Sequence, residues 1–197
     1  MALLEVNFFS KALMRSVTMN VILPADKVFF EEETEEDEKP FKTLYLLHGV
    51  MGNYTDWVTG TCIKRWAEEK NLAVVMPSGA NMFYMDHPEV NENYSEFIGK
   101  ELVKITRRMF PLSHKKEDTF IAGLSMGGYG AIRNGLKYHD TFGYIAGLSS
   151  AMILEKWIQM MTVLLCFSRR KRSWKVFLEI CPKFMTVKLI RSGLQRN

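Results

Sequence analysis

From Ser16 to Leu23 the chain alternates, with Val17, Met19, Val21 and Leu23 apolar and Ser16, Thr18 and Asn20 polar. That is the period of a half-buried strand, and Pro24 ends it. Later runs read differently. Thr43-Leu44-Tyr45-Leu46-Leu47, Leu72-Ala73-Val74-Val75-Met76 and Tyr144-Ile145-Ala146-Gly147-Leu148-Ser149-Ser150 are largely apolar, as expected of central strands covered on both faces. Thr119 to Ala122 is a further β-rich run. Between these runs the period lengthens. Residues 62–70 and 127–139 read as helical, and Tyr94, Phe97, Ile98, Leu102, Ile105 and Met109 form one apolar stripe with Lys100, Lys104, Arg107 and Arg108 around it. Strand and helix in alternation predict an α/β domain with a mostly parallel sheet.

Charge divides the chain more sharply than hydropathy does. Residues 1–159 carry 17 Lys/Arg against 21 Asp/Glu, whereas residues 160–197 carry 9 against 1. The expected organisation is therefore a core over 1–159 and a basic tail of atypical sequence over 160–197. At 197 residues and 47% hydrophobic, the chain is long enough for one domain with a real core. The run Glu31-Glu32-Glu33-Thr34-Glu35-Glu36-Asp37-Glu38 cannot pack into it and reads as a solvated hairpin loop, a cation-binding role being the alternative. Cys62, Cys166 and Cys181 have no metal-ligand spacing, and an odd count without a secretory pattern points to reduced thiols in the cytoplasm. The apolar residues near the N-terminus are interrupted too early to form a signal core, and no stretch approaches the length of a membrane span.

The candidate chemistry lies in Gly123-Leu124-Ser125-Met126-Gly127-Gly128-Tyr129-Gly130. Ser125 falls where a strand turns into a helix, with glycine two residues before and two after it, the pattern of a nucleophile elbow. Bulkier neighbours would obstruct the turn. A dinucleotide-binding reading fails, because a third glycine counted from Gly128 and Gly130 would fall on Arg133. The loop His48-Gly49-Val50-Met51-Gly52-Asn53 leaves the carboxyl end of an adjacent strand. A backbone amide there can complete an oxyanion hole with that of Met126. His48 is read as structural rather than as the base, since in this arrangement the base follows the nucleophile along the chain.

Together, residues 46–53, Trp57 and residues 120–131 resemble the esterase D group of α/β hydrolases, nearest the tributyrin-type acetyl esterases and close to S-formylglutathione hydrolases. The resemblance runs from about Ala2 to about Ser150. It implies an α/β-hydrolase fold with helices on both faces of the sheet and a cytoplasmic serine carboxylesterase acting on short acyl esters without a cofactor or metal. It implies Ser125 as nucleophile, the backbone N–H groups of Val50 and Met126 as the oxyanion hole, and Tyr84 and Asp86 as residues bordering the pocket. A small-molecule ester is the expected partner; no nucleic acid is expected, and homo-oligomerisation is left open. The pattern is incomplete at the end of the chain. The family continues with two strands whose loops carry an aspartate and a Gly-x-His-x-Trp histidine, whereas no His or Asp follows Gln159 here. The last two strands are thus expected to be missing, leaving the sheet edge beyond Ser150 unpaired, and the tail is explained by a reading frame lost near residue 160. The alternatives are an S-formylglutathione hydrolase-like thioesterase and a non-catalytic fragment whose basic tail binds an anionic surface.

Overall fold

The computed structural model describes residues 1–26 and 39–152 and the backbone of residues 188–191. In it the runs that read as covered strands form the middle of one sheet: β3 (Lys42–Leu47), β4 (Leu72–Pro77), β7 (Thr119–Leu124) and β8 (Tyr144–Leu148). β3 pairs in parallel with β4 and β7, and β7 in parallel with β8. The acidic run and almost all of the basic tail lie outside the described residues.

An antiparallel hairpin extends this sheet. β1 (Ala2–Ser10) pairs with β2 (Arg15–Leu23), and β2 with β4, giving with β9 (Lys188–Arg191) the order β1-β2-β4-β3-β7-β8-β9, while β5 (Asp86–His87) and β6 (Glu92–Asn93) form a separate two-stranded sheet. β1 is a strand that the sequence reading passed over; its even-numbered residues from Ala2 to Phe8 turn toward the core, but Leu3 and Phe9 on the outer face blur the alternation. β2 is buried on both faces beyond Thr18, not half-buried as its alternation suggested, because Met19 and Val21 join the core on one face of the sheet and Ile22 joins that on the other. Glu101 ties the hairpin down, accepting hydrogen bonds from the Ser10 hydroxyl and the N–H groups of Lys11 and Ala12.

At the far edge, β9 (Lys188–Arg191) pairs antiparallel with β8. The expectation of an unpaired edge beyond Ser150 is thereby corrected over four residues. A strand edge offers a row of free N–H and C=O groups that any extended segment can satisfy.

Helices cover both faces. On one face α1 (Asp56–Gly60) is followed by α2 (Ile63–Glu69), whose Ile63 and Ala67 pack with Ile22, Leu46, Val74 and Met76. The other face carries the larger core: α3 (Tyr94–Glu96), a π-helical turn (Phe97–Glu101) and α4 (Leu102–Met109) run continuously, and α5 (Met126–Lys137) follows β7. Phe97, Ile98, Leu102 and Ala131 meet Met19, Tyr45, Val75 and Ile121 there. The hydroxyls of Tyr45 and Thr106 hydrogen-bond at 2.8 Å, and burial pushes the Tyr45 phenol up to about 12.

Candidate active site

β3 and β7 run in register from Thr43 opposite Thr119 to Leu47 opposite Gly123. They therefore end side by side, and the chain leaving each meets the other at the carboxyl edge of the sheet, where open α/β folds build their sites. Ser125 occupies the single residue between β7 and α5, with φ 54° and ψ −112°. A non-glycine residue held there is strained by roughly 1–3 kcal/mol. Three backbone hydrogen bonds hold it: its N–H donates to Leu148 O, and its carbonyl accepts from the N–H groups of Tyr129 and Ala151.

The flanking glycines are required by contact. A Cβ on Gly127 would sit 2.6 Å from the His48 carbonyl oxygen and closer still to that of Leu47; one on Gly123 would collide with the backbone of Gly127. All of these are main-chain atoms that cannot swing away.

The serine stands at the N-cap position of α5, where a serine hydroxyl ordinarily accepts a hydrogen bond from the first helical turn. Here it makes no such cap, and Oγ has no hydrogen-bond partner among the described residues. The first-turn amide of Met126 is left open by helix geometry. The N–H of Val50 likewise has no partner among the described residues. The loop carrying Val50 presses close, since a Cβ on the preceding Gly49 would lie 3.7 Å from that of Ser125. Two amides and a free hydroxyl thus share one edge, at the positive end of a twelve-residue helix.

His48 holds this loop. It is buried; its Nδ1 is 2.7 Å from Gly49 O and its Nε2 accepts the Gly79 N–H at 2.8 Å, which fixes the proton on Nδ1. Burial lowers its pKa, so the neutral ring is favoured. Neither nitrogen is free to face Ser125. Tyr84, also fully buried, donates its hydroxyl to the His48 carbonyl at 3.1 Å, and its own carbonyl accepts the Asn134 amide. Burial pushes its phenol well above the ordinary value. It supports the β3 loop from beneath. Asp86 lies at the other end of α5: its carboxylate accepts from the Glu96 N–H and pairs with Lys137 at 3.0 Å. Burial raises its pKa, but the Glu96 N–H and the Lys137 ammonium outweigh that and hold it below the usual carboxylate range.

The remaining histidines stand apart. His87 lies 3.5 Å from Glu89, His139 follows the C-terminal end of α5 beside Asp140, and His114 precedes β7 at the opposite edge of the sheet. Among the described residues no group of His, Cys, Asp and Glu could hold a metal ion, and no helix is long and apolar enough to cross a membrane.

Comparison with known proteins gives the family of the chain. Residues 10–180 match the model of the Esterase family, described as "Putative esterase". An acetyl esterase of Caldicellulosiruptor saccharolyticus is 49% identical over 156 residues, covering 79% of this chain and 59% of that protein. Among solved structures, fluorophosphonate-binding serine hydrolase F of Staphylococcus aureus superposes with a TM-score of 0.62 at 38% identity, covering 72% of this chain and 54% of that one. The S-formylglutathione hydrolase of the same organism gives 0.61 at 38% identity, with the same coverage. The chain spans a little over half the length of these relatives.

Proposed function

The chain belongs to the esterase family, and from that premise we propose that the protein is a serine carboxylesterase hydrolysing short acyl esters, with Ser125 as its nucleophile. The observation that carries this reading is a serine at a helix N-cap that does not cap its helix. Its strained backbone holds Oγ free beside the open amides of Val50 and Met126. The carbonyl carbon of a small-molecule ester is attacked by Ser125 Oγ. As the carbonyl oxygen gains charge, the Val50 and Met126 N–H groups stabilise it. Collapse expels the alcohol, and water then hydrolyses the acyl-serine. No cofactor enters these steps.

The proton of Ser125 needs an acceptor. His48 is committed to Gly49 and Gly79, and none of the other three histidines of this sequence adjoins the serine, so we place the base outside these four. With a base absent, binding and the oxyanion hole alone leave roughly 10³–10⁴-fold catalysis over water. Cytoplasmic location is part of the same reading, supported by the exposed free thiol of Cys62, which a reducing compartment preserves. A thioesterase is the second reading, favoured by the likeness to the S-formylglutathione hydrolase. Hydrolysis of p-nitrophenyl acetate and of an S-acylglutathione, measured side by side, separates the two. The ester reading expects a higher kcat/KM on the oxygen ester, and a preference for the thioester would replace it.

A further inference from the structure

At the amino edge of the sheet, opposite Ser125, lies a groove of about 370 Å³ whose lining includes Lys100, Lys104, Arg107, Arg108, His114 and Thr141. We propose that this groove binds a small molecule bearing two phosphate groups, at a site separate from the esterase centre.

The position follows from topology. His114 precedes β7 and Thr141 precedes β8, so both stand where these parallel strands begin, whereas Ser125 stands where β7 ends. The length of β7 separates them, roughly 17 Å at the usual rise of a strand. The chemistry follows from the lining, which holds two lysine and two arginine side chains and no acidic one. Lys100 is shared with Glu96 at 3.9 Å, but Lys104 and Arg108 have no acidic partner among the described residues. Cations gathered in a concavity repel one another and raise the local concentration of anions. Arg107 is already oriented, its Nη2 donating to Thr119 Oγ1 at 2.8 Å. Its remaining donors, with those of Arg108, suit the forked recognition of phosphate oxygens.

The dimensions select the size of the ligand. Lys100 and Arg108 are eight residues apart along one helical segment, roughly 12 Å at the helical rise. That span exceeds a single phosphate and suits two, and the volume falls in the usual range of small-molecule sites.

Pyrophosphate, titrated calorimetrically into the 197-residue chain at low and at physiological ionic strength, is the probe. The expected result is saturable binding at one per chain, weakening as salt rises. The double variant Lys104→Gln/Arg108→Gln alters exposed side chains only and should keep the parent's urea midpoint. It should weaken binding roughly tenfold, as expected for two exposed charge contacts. A tail variant, Arg169→Gln/Arg170→Gln/Lys171→Gln/Arg172→Gln, should bind like the parent. No saturable binding, binding lost in the tail variant but kept in the groove variant, or capture by phosphatidylserine vesicles without binding of pyrophosphate would each overturn the proposal.

Discussion

The two proposed sites, one at each end of β7, would meet an anion by opposite means. At the carboxyl end no cationic side chain pairs with Ser125 among the described residues. The proposed positive character comes from main-chain N–H groups at the N-terminus of α5 and in the β3 loop, in a turn packed too closely for a Cβ at Gly123 or Gly127. At the amino end it comes from long lysine and arginine side chains on the outer side of a helical segment whose other side packs in the core. Fixed dipoles act on charge that develops over a few ångströms during a reaction and need no reorganisation. Flexible ammonium and guanidinium groups follow a ligand that arrives already charged. The first end should therefore be intolerant of small changes in shape and the second tolerant of them.

The largest expected effect lies in the glycines. Gly127→Ala forces a methyl into the Leu47 and His48 carbonyls and should cost about 3 kcal/mol or more, seen as a fall in the urea midpoint. Gly60→Ala, where nothing lies within 4 Å of the added carbon, should be neutral or stabilise by up to about 1 kcal/mol. Equal effects at the two positions would remove the steric account of the elbow.

A smaller effect comes from the neutral ring that holds the β3 loop. The pKa of His48 is lowered from its ordinary 6.5 by burial, so below that pH the unfolded chain takes up a proton that the folded chain resists. Its contribution is complete above pH 6.5 and declines as the pH falls, by at most about 1.4 kcal/mol per unit. His48→Gln should flatten that part of the stability curve relative to the parent. An unchanged slope would mean that the ring is not held neutral.

Smaller again is the strain at the serine. Ser125→Gly allows φ 54° without penalty and should raise stability by about 1 kcal/mol while reducing ester turnover to background. Lower stability in this variant would show that the backbone is not strained.

Much of this was legible in the sequence, for identifiable reasons. β3 and β4 are buried on both faces over most of their length, so Thr43–Leu47 and Leu72–Met76 stand out as apolar runs. The elbow is legible because Gly123 and Gly127 meet main chain, a demand that only one residue type satisfies. β1 was not legible, because Leu3 and Phe9 face outward and mask its period. The partners of Tyr84 and Asp86 were not legible either, since His48, Asn134, Glu96 and Lys137 are brought to them only by the packing of α5 on the sheet. The basic residues of α4 could be listed from the sequence, but His114 and Thr141 join them only because β7 and β8 start together.

The most direct test of the proposed centre is to supply Ser125 with a proton acceptor from solution. With p-nitrophenyl acetate as substrate, imidazole is titrated into the 197-residue chain and into its Ser125→Ala variant, the variant correcting for hydrolysis by imidazole in solution. A nucleophilic serine with no proton acceptor against it among the described residues predicts a saturable rise in turnover in the parent above that of the variant. Identical rates in the two proteins at every imidazole concentration would contradict it.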